Sequence, residues 1–426
     1  MKNVLEWLEA TVAKYPDKPA FSDTESSITF RQVYDIARNT GAYLVEQLGV
    51  DRTPVAVFAG RKMVTPAYFL GVVYAGRPYA PIDASLPDKR IEKILENLCP
   101  GAIVADRESR EHVESIVDEL AKAEGFDRPQ IFIAEDISRF EQVACADSNC
   151  KISESAGDAV TDSENDTDGG VVAGCAGKTD DSSRDMLAVV RRQMSMTDPL
   201  YIIYTSGSTG NPKGVMTSHL SLMTYINAYC DVMHIEESDV LGNQSPLDYI
   251  AAIRDIYLPL KTGCSTAIIP KEYFMEPNAL FDYMNDKKVS SVGWSVSAFT
   301  ILTSLGAFEE VGLKSLRKIC FSGSVMPCRV LRKWQENLPE AHFVNQYGPT
   351  EATASCTYYS VDHLVEEDEV LPIGKAYDNY RVFLIDEHGN DPAVGEQGEI
   401  CVCGPILALG YYNDPERTAA AFTLNP

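Results

Sequence analysis

The chain predicts an α/β fold made of two doubly wound, largely parallel-sheet subdomains and a small β subdomain. Three observations carry this expectation. Apolar strand-like runs alternate with helical patterns from residue 54 to beyond residue 300, the mark of βαβ units. At 426 residues the chain exceeds one usual hydrophobic core, so more than one subdomain is expected. Past residue 365 the helical patterns thin out and short strands between turns replace them.

Val4, Leu5, Leu8, Val12 and Ala13 recur at helical spacing, giving an amphipathic opening helix over residues 3–15. Thr29 precedes a long helical pattern from Phe30 to Leu48, which Gly49 ends. A strand over Pro54–Ala59 and a helix through Tyr68 and Tyr74 follow. Further strands are expected at Ala102–Val104, Ile131–Ile133, Thr266–Ile269 and Lys318–Phe321. Tyr380–Ile385 is a strand of the β subdomain, with turns at His388-Gly389-Asn390 and Glu396-Gln397-Gly398. Residues 144–185 break the pattern: they are acidic, rich in Asp, Ser and Gly, and nearly free of large apolar side chains. Such a stretch cannot bury enough surface to offset its ordering entropy, so it reads as a disordered insert. Its deletion is expected to leave ligand binding unchanged. The core is thus divided into residues 1–143 and 186–364, with the β subdomain over 365–426.

A formal charge of −25 excludes a nucleic-acid-binding role, because phosphate backbones repel an acidic protein. No apolar run reaches membrane-spanning length, and Met1-Lys2-Asn3-Val4-Leu5-Glu6 lacks a signal-peptide core. A soluble, cytoplasmic chain without membrane insertion is expected. None of the 11 cysteines forms a Cys-x-x-Cys pair. Cys401 and Cys403 share a strand face, which suits a metal pair or, with no His cluster beside them, two buried small hydrophobes. The cysteines read as reduced and structural.

The most informative stretch is Tyr204-Thr205-Ser206-Gly207-Ser208-Thr209-Gly210-Asn211-Pro212-Lys213-Gly214, after the apolar Leu200-Tyr201-Ile202-Ile203. Its small residues let the backbone approach an anion closely, hydroxyls and N–H groups supply donors, and Lys213 adds positive charge. It is not a Walker A loop, since counting on from Gly207 meets Pro212. Alone, such a Gly/Ser-rich run also suits a flexible loop. Company decides for a phosphate site: Ala75-Gly76-Arg77-Pro78-Tyr79-Ala80-Pro81-Ile82-Asp83 upstream, Asn345-Gln346-Tyr347-Gly348-Pro349-Thr350-Glu351-Ala352-Thr353, and Gly398-Glu399-Ile400 to Gly410-Tyr411-Tyr412 downstream.

In this order, from about Ile28 onward, these motifs resemble the adenylate-forming superfamily: peptide-synthetase adenylation domains, D-alanine–carrier-protein ligases, acyl-CoA synthetases and luciferases. Tyr79-Ala80-Pro81-Ile82-Asp83 is most similar to the amino-acid-activating branch. The resemblance implies attack of a carboxylate on the α-phosphorus of ATP, giving an acyl-adenylate and pyrophosphate, and transfer of the acyl group to a carrier-protein phosphopantetheine thiol. It implies that Thr205, Ser206, Gly207, Ser208, Thr209, Gly210 and Lys213 hold the triphosphate, and that Thr350 meets the α-phosphate. Glu351 would hold Mg²⁺, although the carboxylate alone also suits an ordinary surface residue. Tyr347, beside Gly348, would stack on adenine, and the Gly323-Ser324 turn would border the base. Thr205, Lys213, Thr350 and Glu351 form the expected catalytic set. His219 is not needed as a base, because a carboxylate is already ionised near neutral pH; packing is its expected role. Asp83 and Arg90 are read as structural.

Two departures from the family pattern stand out. The sequence ends at Phe422-Thr423-Leu424-Asn425-Pro426, before the Tyr-Arg-Thr-Gly-Asp-like motif and the C-terminal lid that the resemblance leads one to expect. The expected lid domain is therefore missing, which leaves a lid-less, non-catalytic ATP-binding module as an alternative. The second departure concerns the Asp that pairs with a substrate ammonium. In Ser245-Pro246-Leu247-Asp248-Tyr249-Ile250-Ala251-Ala252-Ile253-Arg254-Asp255-Ile256-Tyr257, an ungapped register puts Ile250 there and a two-residue shift puts Asp248 there. The Leu-Asp dipeptide favours Asp248; helix capping is the competing role. Register alone carries over Ser295, Cys320, Ser322, Gln346, Ala354 and Ser355 as further substrate-pocket positions. Their small size points to a small or polar amino acid, with an acyl- or aryl-CoA synthetase as the other enzymatic alternative.

Overall fold

A computed structural model of the chain describes residues 2–138, 180–206 and 211–424. Most of the expected insert, residues 144–179, lies outside them; its last residues, from Asp180, open the helix Asp180–Gln193. The opening helix spans Leu5–Lys14. The long helix runs over Phe30–Leu48, with Thr29 as its cap: the Thr29 hydroxyl accepts from Gln32 N–H and the Gln32 side chain accepts from Thr29 N–H. That reciprocal pair fixes where the helix begins.

Two large sheets organise the chain. In the first, seven strands lie in the order Gly410–Tyr411, Lys213–Ser218, Pro199–Thr205, Tyr79–Pro81, Val55–Phe58, Ala102–Ala105, Gln130–Ile133. From Pro199–Thr205 through Gln130–Ile133 the pairing is parallel; the first two strands are antiparallel additions. The second sheet has nine strands, with a parallel centre and antiparallel strands at both edges. Pro19–Ser22 and Ser27–Thr29, near the amino terminus, form one edge of this second sheet, so the two subdomains interleave along the chain.

Both faces of each sheet are buried, as parallel sheets require. Val55 and Val57 face a core shared with Leu241, Cys320 and Val344 of the second sheet, whereas Ala56 and Phe58 face a separate outer core. Ile319, Phe321 and Phe343 turn the other way, onto Trp294 and Trp334. The shared core is pinned by the Tyr79 and Tyr257 hydroxyls, 2.9 Å apart. Past residue 365, Arg381–Ile385 and Glu399–Cys403 form a two-stranded sheet of their own, while Lys375–Ala376 and Gly410–Tyr411 extend the large sheets. Cys401 and Cys403 are half-buried rather than buried, opposite Phe383 and Arg381. Among the described residues no helix is long and apolar enough to cross a membrane.

Candidate active site

The chain leaves the first sheet at Thr205 and returns antiparallel at Lys213, so Thr205 and Lys213 are register partners. Thr205 is half-buried and Ser206 exposed; Gly207, Ser208, Thr209 and Gly210 lie outside the described residues. Gly410–Tyr411 pairs with the far side of Lys213–Ser218, placing Tyr411 opposite Val215. This pairing sets the Tyr411 ring beneath Lys213, whose Nζ stands 5.1 Å from the ring centroid. The Tyr411 hydroxyl donates to Glu351 Oε1 at 2.5 Å. Burial, reinforced by Glu351, holds that hydroxyl well above its ordinary pKa, so it stays a donor at neutral pH. Lys213, Tyr411 and Glu351 thus come from three separate parts of the chain to one place.

Glu351 sits on the single 3₁₀ turn Thr350–Ala352. Ala408 N–H donates to the Glu351 carbonyl at 2.8 Å, and the Thr353 hydroxyl to the Ile406 carbonyl at 2.6 Å, fastening the turn to the later chain. At Gly348 a Cβ would stand 2.5 Å from Ser355 Cα, so the preceding turn admits only glycine. Tyr347 is exposed, as are Gly323 and Ser324. The strands before them, His342–Tyr347 and Lys318–Ser322, are adjacent and parallel, so both loops open at the carboxyl edge of the sheet. That edge is where open α/β sheets bind ligands.

Behind these loops lies a buried polar cluster. The Ser355 hydroxyl donates to Gln346 Oε1 at 3.3 Å, and Gln346 Nε2 donates to the Tyr377 hydroxyl at 2.6 Å. Arg254 reaches the same Gln346 Oε1 and the Cys320 sulfur. Cys320, Gln346 and Ser355 therefore meet, with Ala354 packed alongside the shared core. Ser295 and Ser322 are register partners at the ends of neighbouring strands. Thr353 and Ala354 both have positive φ, 48° and 75°, a strained backbone beside the cluster.

Asp248 does not join this group. It lies in the turn before the helix Ala252–Thr262 and lines an open cavity of about 830 Å³ with Arg61, Lys62 and Asp83. Burial, with the Asp83 charge second, raises its pKa. Nor does it cap the helix, whose first turn has no side-chain cap. Ile250, the other register, is buried in the shared core. His219 is buried at the start of the helix His219–Met233, and its Nδ1 accepts from Val4 N–H at 3.4 Å. Burial lowers its pKa to about 4.

The model of the AMP-binding enzyme family matches residues 8–412. The chain belongs to that family. It is 28% identical over 423 residues to a D-alanine–D-alanyl carrier protein ligase of Bacillus cereus (strain Q1), covering 99% of this chain and 73% of the relative. Its fold matches that of the nonribosomal peptide synthetase FmoA3 in an AMPPNP-bound form, with a TM-score of 0.76 and 23% identity over all of this chain. The chain spans 40% of that synthetase chain. The N-terminal subdomain of Klebsiella oxytoca NpsA, in complex with 3-hydroxybenzoyl-AMSN, matches with a TM-score of 0.73 and 18% identity, covering 99% of this chain and 91% of that one.

For an AMP-binding enzyme the donor set near Glu351 fits Mg²⁺. No group of three or more His, Cys, Asp or Glu that could hold a metal occurs among the described residues. Mg²⁺ is commonly held by one or two carboxylates and completes its shell with water and phosphate oxygens. Two members of the site had no assigned role in the sequence. Tyr411 lies in a motif that points to the family, but its tie to Glu351 depends on a long-range strand pairing. Arg254 was signalled only by being a charge inside the apolar run Ile250–Leu260.

Proposed function

We propose that this AMP-binding enzyme works in the cytoplasm, activating a carboxylic acid with ATP as its acyl-adenylate, releasing pyrophosphate, and passing the acyl group to a carrier-protein phosphopantetheine thiol. The observation that carries the reading is the convergence of Lys213, Tyr411 and Glu351 at the mouth of the phosphate loop. In this reading Thr205, Ser206, Lys213 and the loop between them gather the charge of the leaving pyrophosphate. Thr350 meets the α-phosphate, Tyr347 stacks on adenine and the Gly323-Ser324 turn borders it. Glu351 holds Mg²⁺, which when bound neutralises phosphate charge. Catalysis here is positioning and electrostatics: the nucleophile is an ionised carboxylate, so no protein base is required. His219, neutral and buried, suits that account.

An amino acid of small or polar kind is the favoured acid, because the relative named above is a D-alanine–D-alanyl carrier protein ligase, and Tyr79-Ala80-Pro81-Ile82-Asp83 is of the amino-acid-activating form. Thermal shift of the chain against non-hydrolysable acyl-adenylate mimics tests the reading. Ligands that bind only the folded state raise Tm with the logarithm of occupancy. An aminoacyl member standing clear of its des-amino counterpart is the expected result. Equal or larger shifts with des-amino or aryl members would move the assignment to an acyl- or aryl-CoA synthetase, and no shift with any member would remove adenylation.

A further inference from the structure

Arg254 is one of the largest fully buried side chains of the molecule, 2% exposed, on the helix Ala252–Thr262. Its Nη2 donates to the Gly293 carbonyl at 2.7 Å. Its Nη1 has only long contacts with neutral groups, Cys320 Sγ at 3.7 Å and Gln346 Oε1 at 3.5 Å. Its Nε has no hydrogen-bond partner among the described residues, and the guanidinium stands over the Tyr229 ring, 5.5 Å from its centroid. Room for the guanidinium is made by Gly293, where a Cβ would stand 2.8 Å from the guanidinium carbon.

The neighbouring acid, Asp255, offsets this charge in part without bonding to it. Asp255 accepts from Asn243 Nδ2 at 2.7 Å, and Asn243 Oδ1 accepts from Arg61 Nη2 at 2.8 Å. Asp255 is thus bound into a relay that ends on a second arginine, so two arginines share one buried carboxylate. A desolvated guanidinium without a paired carboxylate is costly, and an arriving carboxylate that meets its donors removes that cost. The planar fork of arginine suits a carboxylate in particular. Its surroundings are the substrate cluster itself: Cys320, Gln346 and Ser355, directly behind the loops proposed to hold the nucleotide.

We propose that Arg254 sets the specificity of this pocket by receiving a second carboxylate, carried at the tail of the acid being activated. The substrate class is then a dicarboxylic acid, with or without an amino substituent. This rests on the adenylation reading above and narrows it.

Calorimetric titration of the chain with acyl-sulfamoyl-adenosine mimics in shape-matched pairs tests it: aspartyl against asparaginyl, and succinyl against succinamoyl. Each pair has nearly the same shape and differs in the tail charge. The charged member of each pair should bind about tenfold tighter or more. Arg254→Gln should bind both members of a pair equally, and Arg254→Lys should keep the preference in weakened form. Equal or tighter binding of the neutral members by the unsubstituted chain overturns the proposal, whatever the variants do. AMPPNP titrated in the same preparation separates the two claims. If it binds without any preference for tail charge, the carboxylate pocket is wrong and adenylation stands. If neither it nor any mimic binds, the adenylation reading fails and takes this proposal with it.

Discussion

At the scale of single residues, the Tyr411 hydroxyl holds the Glu351 carboxylate in one orientation, which suits the Mg²⁺ role proposed for it. The same ring carries Lys213 on its face, so one side chain positions an anion and a cation together. Tyr411→Phe should raise the Mg²⁺ concentration needed for nucleotide binding about tenfold, since groups that orient a metal ligand have effects of that size. Nucleotide titrations at several Mg²⁺ concentrations would show this, and an unchanged Mg²⁺ requirement would contradict it. The strand pair that sets Thr205 opposite Lys213 and the turn that carries Thr350 and Glu351 both fall within motifs visible in the sequence. Arg254 was not legible there, because what makes it unusual is the carbonyl of Gly293 and the amide of Gln346, both far along the chain. Asp248, which a local dipeptide singled out, lines an open cavity together with Asp83.

At the scale of elements, stability and function occupy opposite edges of the second sheet. Asp239 is fully buried just before the strand Val240–Asn243 and pairs with Arg317 at 3.0 Å and Lys318 at 2.6 Å. Ser290 also donates to it at 2.7 Å, just before the strand Ser291–Ser295. This cluster ties the amino ends of three strands, away from the loops at their carboxyl ends. Asp239→Ala would take the shared acceptor from Ser290, the partly buried Lys318 and the exposed Arg317 and should cost about 2–3 kcal/mol in chemical denaturation; a loss below 1 kcal/mol would contradict the role. Thr29→Ala should cost about 1 kcal/mol by the same measurement, through the lost cap of Phe30–Leu48. That helix was legible to the residue because the Thr29 side chain caps its start and Gly49, at a φ of 70°, ends it. The pairing of Gly410–Tyr411 with Lys213–Ser218 was not, since nothing local selects which sheet a two-residue strand joins.

At the scale of the whole molecule, one shared core holds the two sheets at a fixed separation, and His219 ties the amino-terminal helix region to it. Its folded pKa of about 4 lies below the ordinary value near 6.5. Between those values the unfolded chain binds a proton that the native chain refuses. The stabilisation is therefore present above about pH 6.5 and lost as pH falls toward 4, by about 3 kcal/mol in all. Denaturation at pH 7 and pH 5 should show a steeper loss for the unsubstituted chain than for His219→Gln; parallel losses would contradict it. If the scaffold presents a Mg²⁺-dependent triphosphate site, calorimetry with AMPPNP will find binding that Mg²⁺ strengthens, and Glu351→Gln will lose that gain. No binding, or an equal Mg²⁺ gain in the variant, would rule the site out.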